Sequence, residues 1–167
     1  LKKNLPNILN AKKRYNVTFK DYAIGILHPV TTDLKNQKKN SEIFTKSLIK
    51  SKKNYIIIYP NNDEGRDIIF KSFQKLKKNK KFKIFKSIRF EYFLTFIKNS
   101  DFIIGNSSAG IVEAPYYGTP CINLGSRQNK RAKINSVIDC EFSEKKILKC
   151  IAKYSKKKFN KIKYFGL

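Results

Sequence analysis

The chain of 167 residues carries 37 lysines and arginines against 12 acidic residues, a formal net charge of +25. Its hydrophobic content of 41% suits one globular domain with a full core, and its longest apolar run, residues 55–59, is too short to span a bilayer. With one histidine and three cysteines, a structural zinc site is not expected. We therefore expect a cytoplasmic protein with free thiols, no metal, no other cofactor and no membrane contact.

The positive charge taken alone suggests a protein that binds nucleic acid. However, only five of the 37 basic residues are arginines, the residue type that most often recognises phosphates and base edges. Lysine, asparagine and isoleucine are abundant and all have A/T-rich codons, so an AT-rich genome explains the composition without a nucleic-acid ligand. A basic, non-catalytic nucleic-acid-binding module remains an alternative of a different class.

Apolar runs and turn residues predict the elements in chain order. Residues 1–20 favour a helix or a linker, and the domain itself is predicted over residues 21–167. Six buried strands are predicted, over residues 22–27, 55–59, 82–85, 102–104, 120–124 and 136–139. Between them we expect helices from a cap at Ser41 to about residue 53, from about residue 66 to 78, over 90–98, from a cap at Ser107, and over 143–158.

Strands that alternate with helices predict a Rossmann-like α/β fold, a parallel sheet with helices on both faces. In such sheets ligands bind beyond the carboxyl ends of the strands. Three unusual segments follow predicted strands: residues 28–29, residues 60–65 and residues 105–110. We therefore expect these segments to meet in one site. Asn61 and Asp63 belong to the second segment, although both residue types are also common in ordinary turns.

The segment after the fourth strand has the residues of a phosphate site. Gly105 permits a tight turn, and Ser107 is suited to cap a following helix, whose first N–H groups favour an anion. Ser108 adds a second hydroxyl, and Gly110 leaves room for close approach. Glu113 lies further along, where a carboxylate suits a ribose diol. The pattern indicates a nucleoside diphosphate, although a capped helix with a solvated glutamate would use the same residues.

Four motifs in one order carry a family resemblance. They are His-Pro-Val-Thr at 28–31, Pro-Asn-x-Asp-x-Gly at 60–65, Gly-Asn-Ser-Ser-x-Gly-x-x-Glu at 105–113 and Gly-x-Pro-x-Ile-Asn-x-Gly-x-Arg-Gln at 118–128. With them the chain resembles the C-terminal domain of the hydrolysing, NeuC-type UDP-N-acetylglucosamine 2-epimerases of sialic acid and related nonulosonate pathways.

The resemblance implies roles for individual residues. Ser107 and Ser108 would hold the diphosphate of UDP, Glu113 the ribose, and Arg127 would neutralise the diphosphate charge. Asn61 would line the cleft. His28, which follows the first strand, would be the catalytic residue of this half, at the reacting sugar and diphosphate.

The resemblance also implies the reaction and the missing parts. These enzymes eliminate UDP and hydrate the product to N-acetylmannosamine in the cleft of a two-domain, glycosyltransferase-B arrangement. The N-terminal domain, which holds most of the acid/base carboxylates, would be absent here. We expect a chain truncated at both ends and inactive alone, with a homo-oligomer as a further possibility. An epimerase for UDP-2,4-diacetamido-2,4,6-trideoxyglucose is the alternative enzyme.

Overall fold

The computed structural model describes residues 4–128 and 134–162. Within these ranges, six strands form one sheet: β1 Ala23–Ile26, β2 Tyr55–Ile58, β3 Phe82–Phe85, β4 Ile103–Gly105, β5 Cys121–Leu124 and β6 Val137–Cys140. The α-helices are α1 Ile8–Tyr15, α2 Leu34–Lys50, α3 Arg66–Lys77, α4 Phe90–Asn99, α5 Glu113–Tyr116 and α6 Glu144–Tyr154. Two 3-10 turns lie at Thr31–Asp33 and Ser108–Gly110.

The strands lie in the order β3-β2-β1-β4-β5-β6, and every neighbouring pair is parallel. This order confirms the predicted Rossmann-like α/β fold. The chain order reverses between β1 and β4, and at such a point a crevice opens beyond the carboxyl ends of the strands. At the end of β1, Ile26 pairs with Ile58 of β2 and with Gly105 of β4. The residues that follow these three strands therefore lie side by side.

The core has one layer on each face of the sheet. Successive residues of β2 show the arrangement: Ile57 packs with Leu48 and Phe73 of α2 and α3, whereas Ile56 packs with Phe96 of α4. All five side chains are fully buried. Because both faces are covered, the central strands β1, β2 and β4 consist of hydrophobic residues and glycine, which is why they were predicted as continuous apolar runs.

α1 packs on the same face as α4 and buries Ala11 completely. Asn7 caps this helix by accepting a hydrogen bond from the N–H of Leu9 at 2.7 Å. The helix falls inside the segment for which the sequence favoured a helix or a linker. The domain boundary at residue 21 stays a prediction.

Two helix boundaries away from the crevice between β1 and β4 differ from the sequence-based predictions. The predicted start of α2 at Ser41 is wrong, because the helix begins at Leu34 and Ser41 is buried inside it, with its hydroxyl bonded to the carbonyl of Lys38. The run at residues 35–40 is polar and mostly lysine and asparagine, so it shows no apolar periodicity. The predicted end of α6 near residue 158 is also wrong, because the helix ends at Tyr154.

Among the residues that the structure describes, no helix combines the length and the apolar character needed to cross a bilayer.

Candidate functional site

The crevice between β1 and β4 depends on a glycine. Gly105, the last residue of β4, has a φ of +136°, and a Cβ built on it would lie 1.7 Å from the carbonyl oxygen of Ile26. A residue with a side chain would therefore push the two strands apart. Glycine at this position keeps the ends of β1 and β4 in contact and directs the following residues into the crevice.

Asn106 follows this glycine and is 1% exposed. Its side-chain Oδ1 accepts from the backbone N–H of His28 at 2.7 Å, and its Nδ2 donates to the carbonyl of His28 at 2.9 Å. Its own backbone carbonyl accepts from Arg127 Nη1 at 3.2 Å and from Gln128 Nε2 at 3.0 Å. One buried asparagine thus joins the end of β1, the end of β4 and the loop after β5.

The imidazole of His28 is half-buried, and its Nδ1 accepts from the backbone N–H of Asn61 at 3.1 Å. The side chain of Asn61 donates to Asp63 Oδ2 at 2.5 Å. Burial lowers the pKa of His28 and the charge of Arg127 lowers this pKa further, whereas the side chain of Asn61 and the carboxylate of Asp63 act in the opposite direction. The net effect lowers the pKa and so favours the neutral ring at pH 7.

A cavity of about 380 Å³ lies against the segment that directly follows His28 in the chain. Asp63 and Arg127 line it from the loops after β2 and β5, together with Ser126 and residues 29–32. A larger cavity of about 620 Å³ between β6 and α6 shares Ser126 with it but is lined by none of the predicted site residues. The smaller cavity is thus the one that presents a guanidinium and a carboxylate at the carboxyl edge of the sheet, where ligands of such sheets bind.

The predicted helix opening at Ser107 is wrong. Ser107 caps a three-residue 3-10 turn by accepting from the N–H of Ala109 at 3.3 Å, and the next helix, α5, has only four residues. Pro115 lies within α5, where a proline removes an interior hydrogen bond and so favours a short helix. Because the dipole of a helix grows with aligned peptide units, little anion attraction comes from this turn. The hydroxyls of half-exposed Ser107 and exposed Ser108 are the donors that remain.

Gly110 and Glu113 occupy different surroundings. Gly110 is buried against β5, and a Cβ built on it would lie 2.3 Å from the Sγ of Cys121. Packing alone accounts for glycine at this position, so the place of Gly110 in a substrate site stays a prediction. Glu113 is half-exposed at the first position of α5.

The structure therefore joins three of the predicted residues through direct contacts, His28 with Asn61 and Asn61 with Asp63. Arg127 is linked to them through Asn106, which also holds His28. Asn106 itself was not among the predicted site residues. Its place directly after a strand-ending glycine puts it at the edge where ligands bind, but its burial and its contacts with His28 cannot be read from the sequence.

Comparison with known proteins identifies the family. A family model described as UDP-N-acetylglucosamine 2-epimerase matches residues 1–165. The chain belongs to the UDP-N-acetylglucosamine 2-epimerase family. It is 42% identical over 147 residues to the UDP-N-acetylglucosamine 2-epimerase of Neisseria meningitidis serogroup B, covering 88% of this chain and 39% of that protein.

Two further relatives carry different names. The Polysialic acid biosynthesis protein P7 of Escherichia coli is 35% identical over 150 residues, which cover 89% of this chain and 38% of that protein. The GDP/UDP-N,N'-diacetylbacillosamine 2-epimerase (hydrolyzing) of Campylobacter jejuni is 36% identical over 121 residues, 70% of this chain and 31% of that protein. This family member thus spans less than two fifths of the length of each of these relatives.

Solved structures share the fold. The UDP-GlcNAc 2-epimerase from Methanocaldococcus jannaschii superposes with a TM-score of 0.73 at 22% identity, over 95% of this chain and 45% of that one. A structure of a UDP-GlcNAc 2-epimerase from N. meningitidis bound to UDP-GlcNAc gives a TM-score of 0.71 at 16% identity, over 94% of this chain and 46% of that one. The same layered arrangement therefore forms part of these longer, glycosyltransferase-B-type chains.

Proposed function

We propose that this chain is the UDP-binding half of a hydrolysing UDP-N-acetylglucosamine 2-epimerase and that UDP lies in the crevice between β1 and β4. The observation that supports this most is the meeting of His28 and Arg127 on Asn106, beyond the carboxyl ends of both strands. A neutral imidazole and a guanidinium suit the developing charge of a departing diphosphate. The names of the relatives, which refer to UDP-sugars, support the same ligand.

The remaining predicted residues take roles around this pair. Ser107 and Ser108 donate hydroxyl hydrogen bonds to the diphosphate, and Glu113 accepts from the ribose hydroxyls. Asn61 and Asp63 line the sugar side of the crevice, since their loop adjoins His28. Gly110 supports the site by keeping the serine-bearing turn close to β5.

In the proposed reaction, a base removes the proton from C2 of the sugar, and the electrons of that bond form a C1=C2 double bond. The C1–O bond breaks, and its electron pair leaves on the β-phosphate oxygen of UDP. Water then adds a hydroxyl at C1 and a proton at the opposite face of C2, which releases N-acetylmannosamine. Arg127 and His28 stabilise the leaving charge. The base at C2 lies outside this chain, on a further domain.

The substrate is proposed from the relatives. The N. meningitidis relative, at 42% identity, and the polysialic acid protein of E. coli favour UDP-N-acetylglucosamine as the substrate, with N-acetylmannosamine for sialic acid synthesis as the product. The C. jejuni relative, at 36% identity, supports UDP-2,4-diacetamido-2,4,6-trideoxyglucose as the second candidate. A chimera in which this chain replaces the matching part of the N. meningitidis relative is the test. Assays of the chimera with each UDP-sugar distinguish the two candidate substrates.

UDP is expected to bind the chain measurably and more tightly than uridine, because only UDP carries the diphosphate that Arg127 and the serines contact. Isothermal titration calorimetry with both ligands is the test, and equal affinities would remove the diphosphate site. A salt titration on the same samples tests the nucleic-acid alternative. That alternative would be favoured if the chain did not bind UDP and if the logarithm of its affinity for an oligonucleotide fell linearly with the logarithm of salt concentration.

Glu113→Ala is expected to weaken binding of UDP by about 1.5–3 kcal/mol, the worth of a hydrogen bond to a charged group. Inorganic pyrophosphate, which has no ribose, is expected to bind the variant and the unchanged chain alike. Competition titrations with both ligands measure the difference. Equal losses for the two ligands would assign Glu113 to the phosphates, and no loss for either would leave it a surface residue.

A further inference from the structure

We infer that Asn106 is a positioning residue: by clamping the backbone of His28 it keeps Nδ1 on the Asn61 amide, so that the ring meets the leaving group as its neutral Nε2–H tautomer. The inference rests on the proposed function for its catalytic meaning, but its geometry stands on the contacts alone. It names a residue to which neither the family resemblance nor the sequence pattern gave a role.

Two hydrogen bonds from the Asn106 side chain hold the backbone of His28, and together they form the clamp. The Asn106 amide bonds both polar backbone groups of His28, the N–H at 2.7 Å and the carbonyl at 2.9 Å. These two groups, one a donor and the other an acceptor, also fix which way round the amide lies. Since Asn106 is 1% exposed, breaking either bond would leave a buried polar group without a partner, and the clamp is held in one arrangement.

The second step is the tautomer. Nδ1 of His28 accepts a hydrogen bond from the backbone N–H of Asn61, so Nδ1 cannot itself carry a proton in this arrangement. In a neutral ring the proton is then on Nε2. The bond also favours the neutral ring over the imidazolium, since protonating Nδ1 would set two N–H groups against each other.

The charges around the His28 ring influence whether it is protonated, whereas the hydrogen bond from the Asn61 amide determines which tautomer the neutral ring adopts. Arg127 disfavours the imidazolium, whereas the side chain of Asn61 and the carboxylate of Asp63 favour it. Arg127 is itself held on the backbone carbonyl of Asn106, at 3.2 Å. Asn106 therefore positions both groups that would contact the diphosphate in the proposed reaction. These are the Nε2–H of His28 and the guanidinium of Arg127. His28 in this state donates a hydrogen bond and does not act as a base.

The test uses the chain with ¹⁵N in its one histidine, which gives unambiguous ring signals in long-range ¹H–¹⁵N NMR spectra. Without any ligand, we expect a bare Nδ1 and a protonated Nε2 at neutral pH. In Asn106→Ala, both bonds to His28 are lost, and the signals should shift toward the average of the two tautomers. Asn106→Asp keeps the acceptor for the His28 N–H and loses the donor, and its signals should lie between those of the other two proteins.

Asn123→Ala is the matched control. Asn123 is equally buried, on the neighbouring strand β5, and donates to Asp139 at 2.8 Å without contacting His28. This variant should leave the ring signals unchanged. A protonated Nδ1 in the unchanged chain, or a folded Asn106→Ala with unaltered ring signals, would overturn the inference. Failure of UDP to bind in a separate titration would count against the proposed function instead, because the tautomer is measured without ligand.

Discussion

Replacing Gly105 by alanine is expected to destabilise the domain by about 2–6 kcal/mol, which adds about 1–3 for the left-handed backbone to about 1–3 for overpacking. The new Cβ would lie 1.7 Å from the carbonyl oxygen of Ile26, an atom of the neighbouring strand that cannot rotate away. Relief requires β4 to separate from β1 at the centre of the sheet. Because small domains are stable by about 5–15 kcal/mol, the upper end of this range would prevent folding.

Gly65→Ala is the matched control for this prediction. Gly65 also has a positive φ, of +89°, but its added Cβ would meet first the Cδ2 of Leu34, the far end of a flexible side chain, at 2.8 Å. The loss there should be smaller, about 1–3 kcal/mol for the backbone alone. Urea unfolding followed by circular dichroism measures both. Equal stabilities of the two variants would show that contact between β1 and β4 does not depend on Gly105.

The fold was predictable from the sequence because a strand that is buried on both faces has a continuous run of apolar residues. Residues 55–58 of β2 are apolar without a break, and the same property marked the other central strands. Helix ends left less trace. α2 begins within a polar, lysine-rich stretch. Its start at Leu34 directly follows a 3-10 turn that no residue pattern predicted.

The site was predictable only as far as strand ends reveal it. His28 and Asn61 were found because each follows a predicted strand, and parallel strands end at one edge. Arg127 was named only through the family resemblance. Asn106 was missed because its importance lies in contacts with His28, 78 positions earlier in the chain, which no local pattern encodes. The turn at Ser107 was mistaken for a helix start because a capping serine looks the same before a 3-10 turn and an α-helix.

His28→Asn is expected to lower kcat by roughly 10²–10⁴-fold, the usual effect of removing a group that assists proton or charge movement in the transition state. The measurement needs the chimera with the N. meningitidis relative, which supplies the rest of the enzyme. UDP affinity should change much less, since Arg127, the serines and Glu113 remain. Near-normal turnover after this change would leave His28 a structural residue.

A second variant distinguishes the two ways in which His28 can act. Asparagine ends near the position of Nδ1, where the Asn61 amide donates, and so places no donor where Nε2–H was. Glutamine reaches that position with an amide N–H. If the ring works as a neutral donor, His28→Gln should retain more turnover than His28→Asn. If the ring transfers a proton, both amides fail alike, because neither can give up or take up a proton near pH 7.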